Sequence, residues 1–451
     1  MKIKLIFLLI ILSALILGGY LYFQRSKGQK SGKNLPAWSV CTDCNVVFVS
    51  FDDLRASRVG VLGYSKNTTP AIDSLAQKSF VFTNAITVAP WTLPSHMSMF
   101  TGVYPSHHRV LNKFTLLPGD KQEISNLKKL SPNLQTLAQM FRANGYSTGG
   151  FTGSAGVNHQ FGFDQGFDVY TDDKDFAGFE ETIPKALNWI KANKDKKMFV
   201  FLHGYGIHGE YVPPDGYDKR FVDFPYKGTL DGSVKEHLQL VDEGLSRGQV
   251  FLTSDDVRFL TALYDEKIQR ADNKFGQFLK EYSDLGLMDK TIFVLLSDHG
   301  EELYEHGRVD HGHSLYDELV KIPLIIKVPG LESKVVIDNQ ARTIDLAPTI
   351  LELAGIKTDE IKQQFDGESL TPMMRGDNQT LDSFLETDYR YANFLRGIRA
   401  ADGWKLIVDK ETYLKELYNL KTDPQEKKNL INESKDQAKK FYQKLQPFIG
   451  Q

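Results

Sequence analysis

Apolar runs of strand length alternate with amphipathic helical stretches through most of the chain. Asn45–Phe51, Ser147–Gly153, Met198–Leu202, Thr291–Ser297 and Pro323–Val328 read as strands, several of them apolar enough to be buried on both faces. Helical patterns lie between them at Pro70–Ser79, Asn133–Ala143, Phe179–Asn193 and Asp255–Leu285. In the last, Val257, Leu260, Leu263, Tyr264, Ile268, Ala271, Phe275, Phe278 and Leu279 recur at steps of three and four and define one buried face. Such alternation predicts an α/β domain, a large, mostly parallel sheet flanked by helices. From about Asp377 the pattern changes. Phe394–Ala400, Trp404–Val408 and Glu416–Leu420 are short and turn-separated, and a polar helix follows near Glu433–Phe448, which predicts a small antiparallel sheet with a terminal helix.

Three segments are therefore expected: an N-terminal anchor and tether over residues 1–36, a large α/β domain over 37–376 and a small α+β subdomain over 377–451. The chain has 451 residues, enough for a large core. A net charge of -3, with no long basic run in the folded part, argues against a nucleic-acid partner. Lys2 and Lys4 precede an apolar run from Leu5 to Phe23, which is about long enough to span a bilayer. With no small-x-small cleavage site cleanly after it, the run reads as a retained signal anchor. Arg25, Lys27, Lys30 and Lys33 follow it, yet large domains translocate despite flanking charge. The expectation is a cell-envelope protein with its catalytic domain outside the cytoplasm, or a secreted one if the segment is cleaved. Residues Gln24 to Pro36 read as a flexible tether. The two cysteines, Cys41 and Cys44, form either a local staple or two free thiols; no second pair exists to complete a zinc site.

Three buried strands end in chemistry. Asn45–Phe51 runs into Asp52 and Asp53, Met198–Leu202 into His203, and Thr291–Ser297 into Asp298 and His299. Ligands of open α/β sheets bind beyond the carboxyl ends of the strands, so these groups are expected to converge. Crowded carboxylates raise each other's pKa unless a cation lies among them. Asp52, Asp53, Asp298 and His299 therefore predict one divalent metal ion, Ca²⁺, Mg²⁺ or Mn²⁺, with Zn²⁺ possible because of the imidazole. Thr92 stands just before Pro94-Ser95-His96 and an apolar stretch. This places its hydroxyl just outside a helix start, where an anion would bind.

These residues carry a resemblance to the sulfatase family of the alkaline phosphatase superfamily, over about Asn45 to Leu430. Asn45-Val46-Val47-Phe48-Val49-Ser50-Phe51-Asp52-Asp53-Leu54-Arg55 resembles the family's opening strand and acid pair. Thr69-Pro70-Ala71-Ile72-Asp73-Ser74-Leu75-Ala76 and Thr101-Gly102-Val103-Tyr104-Pro105 are similar to its next landmarks. Phe201-Leu202-His203 through His208 resembles the segment that places a substrate-contacting histidine, here His208. Ser297-Asp298-His299-Gly300-Glu301 resembles the second metal-binding block, and Asp345-Leu346-Ala347-Pro348-Thr349 and Glu416-Leu417-Tyr418-Asn419-Leu420 resemble later ones. The resemblance implies an alkaline-phosphatase-like fold and hydrolysis of sulfate or phosphate-type esters.

The departures are specific. Where the family has a Cys or Ser converted to formylglycine, this chain has Thr92, and where it has Arg this chain has His96. A threonine cannot become that aldehyde, because its β-carbon bears a methyl group; no formylglycine is expected. A sulfo-threonine would have to be opened by water, whereas a phospho-threonine beside a metal turns over more readily. The expected route is a covalent Thr92 ester released by water, on a small-molecule or a glycan or lipid ester. His208, with His311 or His313, would act as leaving-group acid and oxyanion contact, and His96 would orient Thr92. Two alternatives are an envelope phospho-headgroup transferase and a non-catalytic sulfatase-like binding protein.

Overall fold

The computed structural model describes residues 38–111, 128–212, 220–359, 361–388 and 394–450. The apolar run Leu5–Phe23 and the tether lie outside the described residues. Among the described residues no helix is long and apolar enough to cross a membrane.

A nine-stranded sheet forms the centre. Its strands are β1 (Asn45–Phe51), β2 (Phe80–Ile86), β3 (Ser147–Phe151), β4 (Val169–Thr171), β5 (Met198–Gly204) and β6 (Thr291–Ser297), with β9 (Lys321–Lys327), β10 (Val335–Ile337) and β11 (Ala341–Arg342). The order is β10-β2-β9-β6-β1-β5-β3-β4, with β11 paired to β2. Every pairing is parallel except those of β9 with β2 and β6. β1, β5 and β6 are buried along their full lengths, as continuous apolar strands covered on both faces must be. β2 has no clean pattern in the sequence because Thr83 and Asn84 interrupt it, and the register shifts between Phe82 and Ala85.

Helices cover both faces. One layer carries α2 (Thr92–Thr101), α3 (Leu137–Ala143) and α7 (Leu346–Leu353), whose Met97, Phe100, Phe141 and Ile350 pack on one side of the sheet. The other carries α1 (Pro70–Ala76), α4 (Phe179–Asn193) and the long α6 (Ser254–Asp284), with α5 (Val234–Arg247) at its margin. α6 begins at a capping box made by Thr253 and Asp256, which fixes where its apolar face starts. Cys41 and Cys44 form a disulfide just before β1.

The predicted C-terminal sheet is present: β12 (Ser383–Thr387), β13 (Leu395–Arg399), β14 (Trp404–Asp409) and β15 (Lys415–Asn419), antiparallel throughout, with α8 (Lys435–Ile449) packed on it. Its other face covers the segment after a small hairpin of β7 (Glu302–Leu303) and β8 (Val309–Asp310), through Leu315, Leu319, Leu385 and Ile407. A buried charge cluster joins the two parts. Arg399 Nη2 lies 2.9 Å from Asp317 Oδ2, and Lys405 Nζ lies 2.8 Å from both Asp317 Oδ1 and Glu426 Oε1. Lys405 is fully buried, so it cannot be removed without leaving two carboxylates short of a cation. Lys405→Met is expected to cost about 3–5 kcal/mol, read as a lower denaturation midpoint in chemical unfolding.

Candidate active site

The carboxyl ends of β5, β1 and β6 lie side by side because the three strands are parallel neighbours in that order. The register sets Ser50 against His203 and Phe51 against both Gly204 and Ser297. The next residues, Asp52, Asp53, Asp298 and His299, thus emerge at one edge, and all four are fully buried. Asp53 turns the chain there with φ +64°, a strained conformation of the kind that concentrates at functional sites.

Each group is held by a partner that leaves one face open. Asp298 Oδ1 accepts the backbone N–H of Asp53 at 3.3 Å and that of His299 at 3.0 Å. Asp52 Oδ2 lies 3.2 Å from His203 Nε2, and His203 Nδ1 accepts the N–H of Gly153 at 3.4 Å. That acceptance places the imidazole proton on Nε2, so His203 donates to Asp52. His299 Nδ1 lies 2.9 Å from the carbonyl of Gly300, and its Nε2 lies 3.3 Å from Thr92 Oγ1. The Nδ1 proton therefore goes to the backbone, leaving a lone pair on Nε2 toward the threonine. Asp52 Oδ1 and Asp298 Oδ2 are buried without a hydrogen-bond partner among the described residues.

The electrostatics of this edge favour a bound cation or protons on its carboxyls. Burial and the Asp53 charge push the Asp52 carboxyl up to about 7. Burial and the Asp52 charge push Asp298 well above the usual carboxylate range. Burial also lowers the pKa of His299 and takes that of His203 down to about 3, so both imidazoles are neutral ligands or donors near pH 7. Ligand atoms of Asp52, Asp298 and His299 lie within 4.8 Å of one another, as do those of Asp53, His299 and His311. Oxygen-rich donors with an imidazole, two acceptor oxygens left over and charge repulsion among them fit a divalent ion.

Thr92 is the first residue of α2, with Trp91 as its N-cap; the sequence had placed it just outside the helix. Its side chain lines a cavity of about 420 Å³ together with His208, Tyr205, Gly156 and Asp310. The Tyr205 phenol oxygen accepts the N–H of Gly156 at 2.8 Å. A Cβ on Gly156 would come within 2.8 Å of Thr92 Cβ and Cγ2, so the threonine has its place because residue 156 has no side chain.

His96, expected to orient Thr92, reaches its backbone carbonyl. One turn along α2, its Nδ1 lies 3.0 Å from the Thr92 carbonyl and 3.4 Å from Asp298 Oδ2, and its Nε2 lies 2.9 Å from Ser50 Oγ. It supports the carboxylate edge from beneath. Of the two histidines left open by the sequence, His311 is at the site. Its Nδ1 lies 2.8 Å from Glu301, 2.9 Å from Asp310 and 3.1 Å from Asp53, and its ring centroid is 4.3 Å from that of His299. His313 lies outside the cavity of Thr92: its Nε2 pairs with Glu302 at 2.8 Å, and it lines a separate pocket with His306 and Tyr316. The half-buried ring of His208 meets His311 edge to face, with centroids 5.1 Å apart. Thr387 Oγ1, on β12, donates to the Gly312 carbonyl at 3.1 Å, so the C-terminal sheet anchors the turn between His311 and His313.

Some groups at the site were not assigned from the sequence. Glu301 follows the Asp298-His299-Gly300 block and Asp310 precedes His311, so proximity in sequence could have drawn attention to both. Tyr205 and Gly156 had no such signal. Lys267 sits on the buried face of α6, where a lysine is out of place; its Nζ donates at 2.6 Å to the carbonyls of both His208 and Glu210. It pins the loop that carries His208.

The chain matches the family model described as Sulfatase over residues 44–356. A second model, described as N-sulphoglucosamine sulphohydrolase, C-terminal, matches residues 304–449. The chain is 25% identical over 428 residues to Delta 4,5-hexuronate-2-O-sulfatase of Bacteroides thetaiotaomicron, covering 87% of this chain and 85% of that protein. It is 23% identical to Arylsulfatase K of Homo sapiens, covering 90% of this chain and 82% of that one. Among solved structures, it superposes on a phosphonate monoester hydrolase of Agrobacterium radiobacter with a TM-score of 0.69 at 17% identity, covering 90% and 95% of the two chains. It superposes equally, with a TM-score of 0.69 at 20% identity, on a protein bound to its substrate D-glucosamine-2-N,6-O-disulfate, covering 90% and 97%. These two likenesses carry the fold.

Two outcomes follow from the geometry. Because the Asp52 carboxyl is held at about 7 without a cation, its proton competes with the metal. Affinity for Mn²⁺ in titration calorimetry should fall at least about tenfold for each pH unit below 7, with proton release on binding. Gly156→Ala should lower kcat/KM by about 10²-fold, since it displaces Thr92 from its position.

Proposed function

The chain belongs to the sulfatase family, and from that premise we propose that it hydrolyses sulfate or phosphate-type esters through a covalent ester on Thr92. The observation that carries this reading is the Thr92 hydroxyl, which opens on the cavity 3.3 Å from a lone pair of His299. Asp52, Asp53, Asp298 and His299 would hold one divalent ion, Ca²⁺, Mg²⁺ or Mn²⁺ by their oxygens, with Zn²⁺ admitted by the imidazole. That ion supplies positive charge that acidifies the threonine hydroxyl and offsets charge on the ester oxygens.

Thr92 Oγ1 attacks the phosphorus or sulfur, and its proton passes to solvent, because the Nε2 lone pair of His299 is the one that would hold the ion. The bond from that centre to the alcohol oxygen breaks as the new one forms. His208, which lines the cavity, gives the departing alcohol its proton, while His311 behind it is held by Glu301 and Asp310. Water then attacks the threonine ester, the Thr92 oxygen regains a proton, and the acid is released. The N-terminus of α2 adds a favourable field for the anion throughout. Threonine cannot follow the elimination open to a hydrated aldehyde, so the second step must be a displacement, and phosphorus centres undergo that more readily than sulfate. The apolar run Leu5–Phe23 and the Cys41–Cys44 disulfide support a site of action outside the cytoplasm, since disulfides persist in oxidising compartments.

The test is a panel of aryl phosphate, phosphodiester, phosphonate and sulfate assayed with Mn²⁺, Ca²⁺ and Zn²⁺. Thr92→Ala should lower turnover by about 10³-fold or more. Acid quenching during turnover of the unmodified protein should trap one phosphoryl or sulfuryl group on Thr92 by peptide mass analysis. Full activity in Thr92→Ala would refute the assignment.

A further inference from the structure

The cavity that holds Thr92 has two walls of different chemistry. Around Thr92 the lining is polar, with His208 and Asp310; on the α5 side it is mostly aliphatic, with Val234, Leu238 and Val241 beside His237. Among the described residues that line it there is no lysine or arginine, and the charged groups there, Glu210 and Asp310, are acidic. A saccharide bearing a second sulfate would set an extra negative charge beside carboxylates with no cation to receive it, an arrangement that opposes binding.

Val234, Leu238, Val241 and Leu245 follow one another on α5 at steps of four, three and four, which places them in one row along the helix. Three of the four carry large exposed apolar surface: Val234 is 54% exposed, Leu238 61% and Leu245 39%. The first three line the cavity, and Leu245 extends the row by one turn along the helix. Eleven steps from Val234 to Leu245 at a helical rise of about 1.5 Å give a stripe about 16 Å long. A row of aliphatic side chains that starts in a polar catalytic cavity and runs on along the helix matches a molecule with an anionic head and an aliphatic tail.

We infer that the ester cleaved at Thr92 is an amphiphile whose alkyl chain lies along the Val234–Leu238–Val241–Leu245 row of α5. This rests on the ester-hydrolase reading of Thr92 and adds the class of its organic half. The tail contributes apolar burial and the head contributes the anion, so affinity should grow with chain length until the row is covered.

The experiment measures binding of n-alkylphosphonates, from ethyl to dodecyl and below micelle-forming concentrations, to the full-length protein with Mn²⁺ by titration calorimetry. Affinity should rise up to about fourfold for each added methylene and then level off, because each buried methylene contributes a roughly constant increment. Leu238→Glu should flatten that dependence; comparing long and short chains within each variant cancels any general loss of folded protein. Equal affinity for ethyl and decyl chains, or tighter binding of a sulfated disaccharide than of decylphosphonate, overturns the inference. Turnover of the matching alkyl phosphates and sulfates is read separately. Chain-length-dependent binding without turnover would refute the hydrolase reading and leave the apolar site standing.

Discussion

Asp52, Asp53 and Asp298 are fully buried at the ends of two neighbouring parallel strands, and the repulsion among them is the constraint on which the active edge depends. Without a cation the protein answers with protons, which is why burial and mutual charge drive Asp52 and Asp298 upward. The surrounding contacts do not relieve this repulsion; they orient it. Asp298 is held by two backbone N–H groups, Asp52 by His203, and His299 by the Gly300 carbonyl, so the remaining oxygens and the Nε2 lone pair are aimed together. Such preorganisation is costly in the metal-free fold and useful once the site is loaded, because the ligands need not move.

The rest of the molecule maintains that edge. The large sheet fixes the strand ends in register, and α2 carries both Thr92 above the carboxylates and His96 beneath them. The C-terminal sheet acts at a distance. Its buried Arg399 and Lys405 clasp Asp317, and Thr387 holds the Gly312 carbonyl, so the turn that presents His311 is set by residues far along the chain. Lys267 does the same for the His208 loop from the opposite layer.

The family scaffold is kept while the nucleophile position is changed. With threonine in place of an aldehyde precursor, the proposed product-releasing step falls to water, with His208 lining the cavity and His311 beside it. A cavity with no basic side chain among its described lining residues and a long aliphatic flank is a different environment from one suited to a polyanion. The same metal edge can therefore serve a different organic half, because the edge and the flank are built on separate elements.

Much of this was legible in the sequence. The continuous apolar runs of β1, β5 and β6 and the three- and four-residue spacing of α6 reveal their elements, since burial on both faces or on one leaves a periodic trace. The acidic and imidazole groups at the ends of those runs follow from the rule that α/β sheets bind ligands at their carboxyl edges. Other features left no local trace. β2 is broken by a polar pair at a bulge, and β12 lies apart from the motif-bearing segments. The sequence could not choose between His311 and His313, two residues apart, because the choice depends on whether each ring meets Asp53 and Glu301 or Glu302. The grip of His96 on a carbonyl rather than a hydroxyl, and the need for Gly156 opposite Thr92, are matters of distances across the fold. Composition and periodicity determine which residues are buried together; only the packed tertiary structure decides which atoms of those residues face one another.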